Sequence, residues 1–196
     1  HMGREIEAHG FARRTIDQWT NANLDHIIIT ASGCGTVIKD YGFMLKQDQA
    51  SAAKAAAISA KAMDVTAFLV TLHLGQKPPQ NLRVAYHSAC SMQHGQKIIA
   101  APIALLQHAG FEVVSVPEGH LCCGSAGTYN MMQPEIAEQL KQRKLKNIAQ
   151  TEVDIVAAGN LGCITQLQSG VGKPMLHTIE LLDWAYGGVK PKALGE

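Results

Sequence analysis

Short apolar runs rich in valine and isoleucine alternate along this chain with longer stretches of helical periodicity, and this alternation restricts the fold most strongly. It is the pattern of parallel strands joined by crossover helices, so we predict an α/β fold, a parallel sheet flanked by helices. The predicted strands are His26–Thr30, Arg83–His87, Glu112–Val116, Asp154–Ala158 and Pro174–His177. The predicted helices are Ala12–Thr20, Val37–Leu45, Ala50–His73, Ser91–Ala109, Pro134–Ala149, Ile164–Gln168 and Thr178–Tyr186.

A weak internal repeat suggests two related modules. Residues 27–36 resemble residues 156–165, since in both an apolar strand runs into Gly-Cys-x-Thr and then a helix. Residues 63–69 have a looser counterpart in residues 176–182. We therefore interpret the N-terminal part as the back half of a module that the C-terminal part contains whole.

The boundary between the two modules is predicted near residue 80. Residues 75–81 are polar and carry two prolines between ordered stretches, which makes them the best linker candidate. The expected organisation is residues 3–74 as the C-terminal half of a first module and residues 82–190 as a complete second module.

Charge and hydropathy argue against two classes of partner. Formal net charge is +1, from 17 Lys and Arg against 16 Asp and Glu, so no overall field favours nucleic acid. The basic run Lys141–Lys146 has acidic neighbours in a predicted helix, and we interpret it as a solvated face.

A membrane span needs about 18 or more consecutive apolar residues, which no stretch provides, and the start lacks a signal peptide's apolar core. We predict a cytoplasmic protein that binds no nucleic acid.

Four of the five cysteines follow strands that are consecutive in the sequence. In an open, Rossmann-like parallel sheet, ligands collect beyond the carboxyl ends of the strands. Cys90, Cys122, Cys123 and Cys163 all fall there, beside glycines. A single cysteine in a cytoplasmic protein is most often an inert buried residue, but four at matched strand ends favour metal binding. The sequence therefore predicts a four-thiolate metal site.

The residues alone leave other readings open. Four thiolates suit tetrahedral zinc, although the paired C-x-x-C knuckles typical of zinc modules are absent, so a zinc-stabilised docking domain remains an alternative. A thiol–disulfide pair formed by Cys122 and Cys123 is disfavoured, because adjacent cysteines form only strained disulfides. No phosphate loop, dinucleotide fingerprint or Ser–His–Asp arrangement stands out, so we assign no catalytic residue.

Three segments carry a resemblance to a known family: His87–Cys90, His120–Tyr129 and Gly159–Cys163. They resemble the cysteine-rich "CCG" domain of heterodisulfide reductase subunits, anaerobic glycerol-3-phosphate dehydrogenase, lactate-utilisation proteins and the glycolate oxidase iron–sulfur subunit. The resemblance to the last of these extends to Ala31–Gly35 and Gln93–Lys97, and it covers nearly the whole chain.

The resemblance implies an iron–sulfur cluster, with [4Fe–4S] the expected form, in the electron-transfer part of a glycolate oxidase-type complex. There a flavin-containing subunit oxidises glycolate, and electrons pass toward a membrane quinone. The implied partners are that subunit and others of the complex, through which the inner face of the membrane is contacted. The chain has no C-x-x-C-x-x-C ferredoxin run, so it resembles only the C-terminal part of such a subunit. Cys34 would then belong to a truncated second site.

One departure from the family concerns the number of thiolates. Members with the full motif end in C-x-x-C and offer five cysteines to a non-cubane cluster, whereas Gln166 stands at the fifth position here. Four thiolates suffice for a [4Fe–4S] or [2Fe–2S] cluster or for zinc. The residues considered as orienting or hydrogen-bonding partners of the ligands are His87, His120, Gly124, Tyr129 and Gln166. Either histidine could instead be a ligand, or be bonded to backbone.

Overall fold

A computed structural model describes residues 2–195, which divide into two compact units, the first ending at Val65 and the second beginning at Thr66. Each unit has its own parallel sheet and its own apolar core, which confirms the predicted α/β class. Within the described residues, no helix is both long enough and apolar enough to cross a membrane.

The first unit contains a two-stranded parallel sheet, β1 (Ile27–Ile29) and β2 (Ala62–Asp64). Its helices are α1 (Glu5–Asn21), α2 (Ser32–Lys39), α3 (Tyr41–Met44) and α4 (Ala52–Lys61). The helical spacing of Ala12 and Ile16 puts both on one face of α1, where they are fully buried in the core of this unit.

The prediction of one helix over residues 50–73 is wrong. Helix α4 ends at Lys61, β2 pairs with β1, and α5 (Val65–Thr71) follows directly. The alanine-rich segment has high helix propensity, but strand pairing overrides it at residues 62–64. The internal repeat contained the missing signal, because residues 63–69 were aligned with a predicted strand end and helix start.

The second unit contains a four-stranded parallel sheet in the order β4–β3–β5–β6. The strands are β3 (Arg83–His87), β4 (Glu112–Ser115), β5 (Ile155–Ala158) and β6 (Met175–His177). Every residue of β5 is buried, and alternate residues enter two separate core clusters. This pattern is expected for a central parallel strand covered by helices on both faces.

The remaining helices of this unit are α6 (Ala100–His108), α7 (Tyr129–Met132), α8 (Pro134–Ala149), α9 (Leu161–Leu167) and α10 (Thr178–Ala185). A single 3-10 turn follows at Lys192–Leu194. The predicted helix Ser91–Ala109 is broken, because a π-helical turn at Ser91–Gly95 is separated from α6. Helices α2 and α9 begin earlier than predicted, so Cys34 and Cys163 each occupy the third residue of a helix.

Residues that correspond in the internal repeat also pair in the same register in the two sheets. In the first sheet, Ile27 pairs with Ala62 and Ile29 with Asp64. Their counterparts in the second sheet pair in the same way, Val156 with Met175 and Ala158 with His177. This agreement supports the interpretation of residues 3–74 as the back half of a module, which remains a proposal.

The predicted linker, residues 75–81, lies within the second unit. The N–H of Lys77 donates to the carbonyl of His108, and the N–H of Gln80 donates to that of Gly110, both at 2.8 Å. Gly110 has a φ of +92°, and a Cβ there would lie 2.2 Å from the carbonyl oxygen of Pro78. Glycine is therefore required at this close approach.

Candidate metal centre

The four predicted sulfurs converge beyond the carboxyl ends of three neighbouring strands. Cys90 follows β3, the adjacent Cys122 and Cys123 lie in the loop after β4, and Cys163 lies in the first turn of α9 after β5. The Sγ atoms of Cys90 and Cys122 are 3.7 Å apart, and those of Cys123 and Cys163 are 3.1 Å apart. Both distances exceed the roughly 2.05 Å of a disulfide bond, and all these cysteines are free thiols.

The two sulfur pairs differ in depth. Cys123 and Cys163 are 1% and 2% exposed, whereas Cys90 and Cys122 are half-buried. The deep pair lies within an apolar cluster that includes Met92, so one side of the site is dry and the other is nearer to solvent.

Hydrogen bonds between loops hold the sulfurs in place. The side-chain amide of Gln93, just after Cys90, donates to the carbonyls of Ser88 and Gly119 at 3.2 and 3.0 Å. It thus ties the turn that carries Cys90 to the loop that precedes Cys122. The N–H of Gly124 donates to Cys122 Sγ at 3.3 Å.

The thiols cannot all ionise in this arrangement without a counter-charge. Hydrogen bonds from Cys123 and then Cys90 lower the pKa of Cys122, and a hydrogen bond from Cys123 lowers the pKa of Cys163. In return, bonding to Cys122, together with burial, raises the pKa values of Cys90 and Cys123. Two thiolates are thus stabilised by two thiols, and a bound cation would supply the charge that four thiolates need.

His87, the last residue of β3, lies in this site. Its side chain is 1% exposed, and neither ring nitrogen has a hydrogen bond of good geometry among residues 2–195, but the ring lies beside the Cys163 thiol and helps to lower its pKa. A ring nitrogen of His87 and the sulfurs of Cys123 and Cys163 all lie within 4.8 Å of one another. The alternative role, a histidine hydrogen-bonded to backbone, is not observed within the described part of the chain.

The structure places the other residues that the sequence singled out in different surroundings. His120 is exposed, and Tyr129 is half-buried at the start of α7. Gln166 accepts a hydrogen bond from the side-chain amide of Asn130 at 3.0 Å. Cys34 is exposed in α2 of the first unit. The structure therefore brings Gly124 and His87 to the sulfurs and leaves His120 at the surface.

Two residues near the site were missed by the sequence reasoning. Asn160, at the N-cap of α9, donates through its side chain to Cys163 Sγ at 3.4 Å. Lys144 is fully buried, and its Nζ donates to the carbonyl of Glu118 at 2.9 Å. The interpretation of Lys141–Lys146 as a solvated face is wrong at this residue. The spacing from Ala137 through Lys144 to Ile148 follows the buried stripe of α8 and could have revealed it.

Side chains of helix α8 form hydrogen bonds with Glu118, which lies in the loop before Cys122 and Cys123. Its carboxylate accepts hydrogen bonds from Arg143 Nε at 2.9 Å and Asn147 Nδ2 at 2.7 Å. These bonds, the one from Arg143 first, lower the pKa of Glu118 to about 2. Because the folded-state pKa is below the unfolded one, this group stabilises the fold above about pH 4.5 and loses that effect as pH falls toward 2.

Glu118→Gln is therefore expected to lower the urea midpoint of the metal-free protein at pH 7, with a smaller difference from the unsubstituted protein at pH 3. Glu138→Gln is the control, since Glu138 is an exposed residue of α8 whose pairing with Lys141 spans 3.7 Å. A Glu118→Gln difference that is equal at both pH values would contradict this account.

Comparison with known proteins identifies the class to which this chain belongs. The fold and the group of four cysteine sulfurs define a cysteine-rich α/β protein. Residues 84–168, which include the four cysteines and His87, match the family described as "Cysteine-rich domain" (CCG). The glycolate oxidase iron-sulfur subunit of Escherichia coli is 36% identical over 194 residues, which are 94% of this chain and 46% of that protein. Lactate utilization protein A of Anoxybacillus flavithermus is 30% identical over 172 residues, 84% of this chain and 72% of that protein.

A probable glycolate oxidase iron-sulfur subunit of Bacillus subtilis is 28% identical over 177 residues, which are 87% of this chain and 39% of that protein. The chain thus spans less than half the length of the two glycolate oxidase relatives. It belongs to the cysteine-rich CCG family that contains these iron-sulfur subunits and lactate utilization protein A, which confirms the resemblance found in the sequence.

Proposed function

We propose that this chain is the iron–sulfur, electron-transfer part of a glycolate oxidase-type complex. The observation that carries the proposal is the convergence of four cysteine sulfurs from three strand ends, in two pairs 3.7 and 3.1 Å apart. The names of its relatives, glycolate oxidase iron-sulfur subunit and lactate utilization protein A, support it.

The donor set fits an iron–sulfur cluster. Thiolates are the usual protein ligands of such clusters, and N–H groups directed at the sulfurs tune them. The N–H of Gly124 and the side-chain amide of Asn160 are two such donors. We propose Cys90, Cys122, Cys123 and Cys163 as the ligands of a [4Fe–4S] cluster, whose chemistry is the transfer of single electrons.

In this proposal the protein holds the cluster and excludes water from its deep side, and it supplies no catalytic residue of its own. The partner is a flavin-containing subunit that oxidises glycolate or another 2-hydroxy acid, and a quinone receives the electrons. The complex is cytoplasmic and contacts the inner face of the membrane through its other subunits. The relatives' names give no support to zinc, which remains an outcome of the test below.

Cys34 is proposed to belong to a second, incomplete site in the first module. It is the third residue of α2, as Cys163 is the third residue of α9, and both helices follow strands of matching register. These correspondences support an equivalent position in the two modules.

Protein purified and reconstituted with iron and sulfide without oxygen is expected to be brown, with about four iron and four sulfide per chain. Iron and acid-labile sulfide analysis, together with electron paramagnetic resonance of the reduced protein, would measure this. About two iron per chain would replace the [4Fe–4S] assignment by [2Fe–2S]. Zinc without iron, or colourless protein after reconstitution, would contradict the proposed function.

A further inference from the structure

The imidazole of His87 is buried beside cysteine sulfurs. Its side chain is 1% exposed, and neither ring nitrogen has a hydrogen bond of good geometry within residues 2–195, although the ring is close enough to Cys163 to lower the pKa of that thiol. Burying a polar group without a hydrogen bond is unfavourable, so native structures rarely leave one in this state. The site itself must therefore supply what the ring binds.

The position of the ring is fixed by the central part of the sheet. His87 pairs in register with Ala158 of β5, and β3 lies between two hydrogen-bonded strands. One ring nitrogen lies in a group with the sulfurs of Cys123 and Cys163, all within 4.8 Å of one another. A donor on a rigid strand, next to two buried sulfurs, has the placement of a metal ligand.

No fifth cysteine lies three residues after Cys163, where Gln166 stands, and the side-chain oxygen of Gln166 accepts a hydrogen bond from Asn130 at 3.0 Å. The imidazole of His87 is thus the buried donor next to the deep pair, while Gln166 is bonded to another residue.

We propose that His87 is a fifth protein ligand of the metal centre, binding through one ring nitrogen on the side of Cys123 and Cys163. The proposal rests on the proposed function, since it assumes a centre held by the four thiolates. A neutral imidazole adds no negative charge, whereas a thiolate in its place would add one. The reduced form is therefore less disfavoured, and the reduction potential lies above that of a centre with a fifth thiolate.

The test uses protein labelled with ¹⁵N in its histidines, reconstituted without oxygen and examined by pulsed electron paramagnetic resonance in the reduced state. We expect a nitrogen coupling as strong as that of a directly bonded ligand. In His87→Cys the cluster should be retained, the coupling should disappear, and the reduction potential should shift to a more negative value. His108→Leu is the matched control, because His108 is exposed in the last turn of α6 and should keep both values unchanged.

The outcomes separate the two proposals. A cluster without a strongly coupled histidine nitrogen would overturn the role of His87 and leave the proposed function standing. A coupling that persists in His87→Cys would assign it to another histidine and overturn the proposal. Failure of the unsubstituted protein to form any cluster would overturn both. If circular dichroism shows that His87→Cys is unfolded, His87→Gln provides the same comparison of the nitrogen coupling.

Discussion

Replacing Cys123 by serine is expected to abolish cluster binding, with the iron content after anaerobic reconstitution falling more than about tenfold. Cys123 is 1% exposed, its sulfur is 3.1 Å from that of Cys163, and it donates to neighbouring sulfurs. A serine hydroxyl remains protonated at neutral pH and is a poor replacement for a thiolate. Iron and sulfide analysis of the variant measures the effect.

Cys34→Ser is the matched control for this experiment. Cys34 is an exposed cysteine in the first unit, so its replacement is expected to leave the iron content of the second unit's centre unchanged. Circular dichroism of both variants would separate loss of ligand from loss of fold. A Cys123→Ser protein that retains a full complement of iron would contradict the assignment of this residue.

Gly124→Ala is expected to lower the free energy of unfolding by about 3 kcal/mol or more, since left-handed backbone strain and a steric clash add together. Gly124 has a φ of +89°, and a Cβ there would lie 2.4 Å from the carbonyl oxygen of Ala137 in α8. That backbone cannot move without disturbing the helix. The N–H of Gly124 also bonds to Cys122 Sγ, so cluster assembly should fall as well. Urea unfolding and iron analysis would measure the two effects.

Gly172→Ala is the control for backbone conformation alone. Gly172 has a φ of +64°, and a Cβ there would meet no atom within 4 Å. Alanine in this left-handed conformation is expected to reduce stability by about 1–2 kcal/mol and to leave the iron content unchanged. Equal losses of stability in the two variants would show that the contact with Ala137 is unimportant.

The sequence predicted the parts of the fold that depend on local pattern. Strand β3 and helix α8 have the predicted bounds, because a continuous apolar run and a helical stripe that starts at a proline are strong local signals. The three residues of β2 were missed because their strand state comes from pairing with β1, which composition does not encode.

For the site, the sequence placed cysteines at strand ends but could not determine which sulfurs meet. The pairing of Cys90 with Cys122, and of Cys123 with Cys163, depends on the path of the loop that Gln93 and Lys144 hold. The unpaired ring of His87 was also beyond prediction, because the hydrogen bonding of a buried group is known only when all its neighbours are placed.

Strand β1 differs from its counterpart β5 in one respect that affects the behaviour of the purified chain. Within residues 2–195, β1 is hydrogen-bonded to β2 alone, whereas β5 has a strand on each side. The free edge of a strand is a template for addition of a strand from another molecule, and Ile28 on β1 is 38% exposed. Domain swapping and aggregation of this protein should therefore involve the edge of β1, whereas β3 and β5, whose ends position the metal centre, each pair with a strand on both sides.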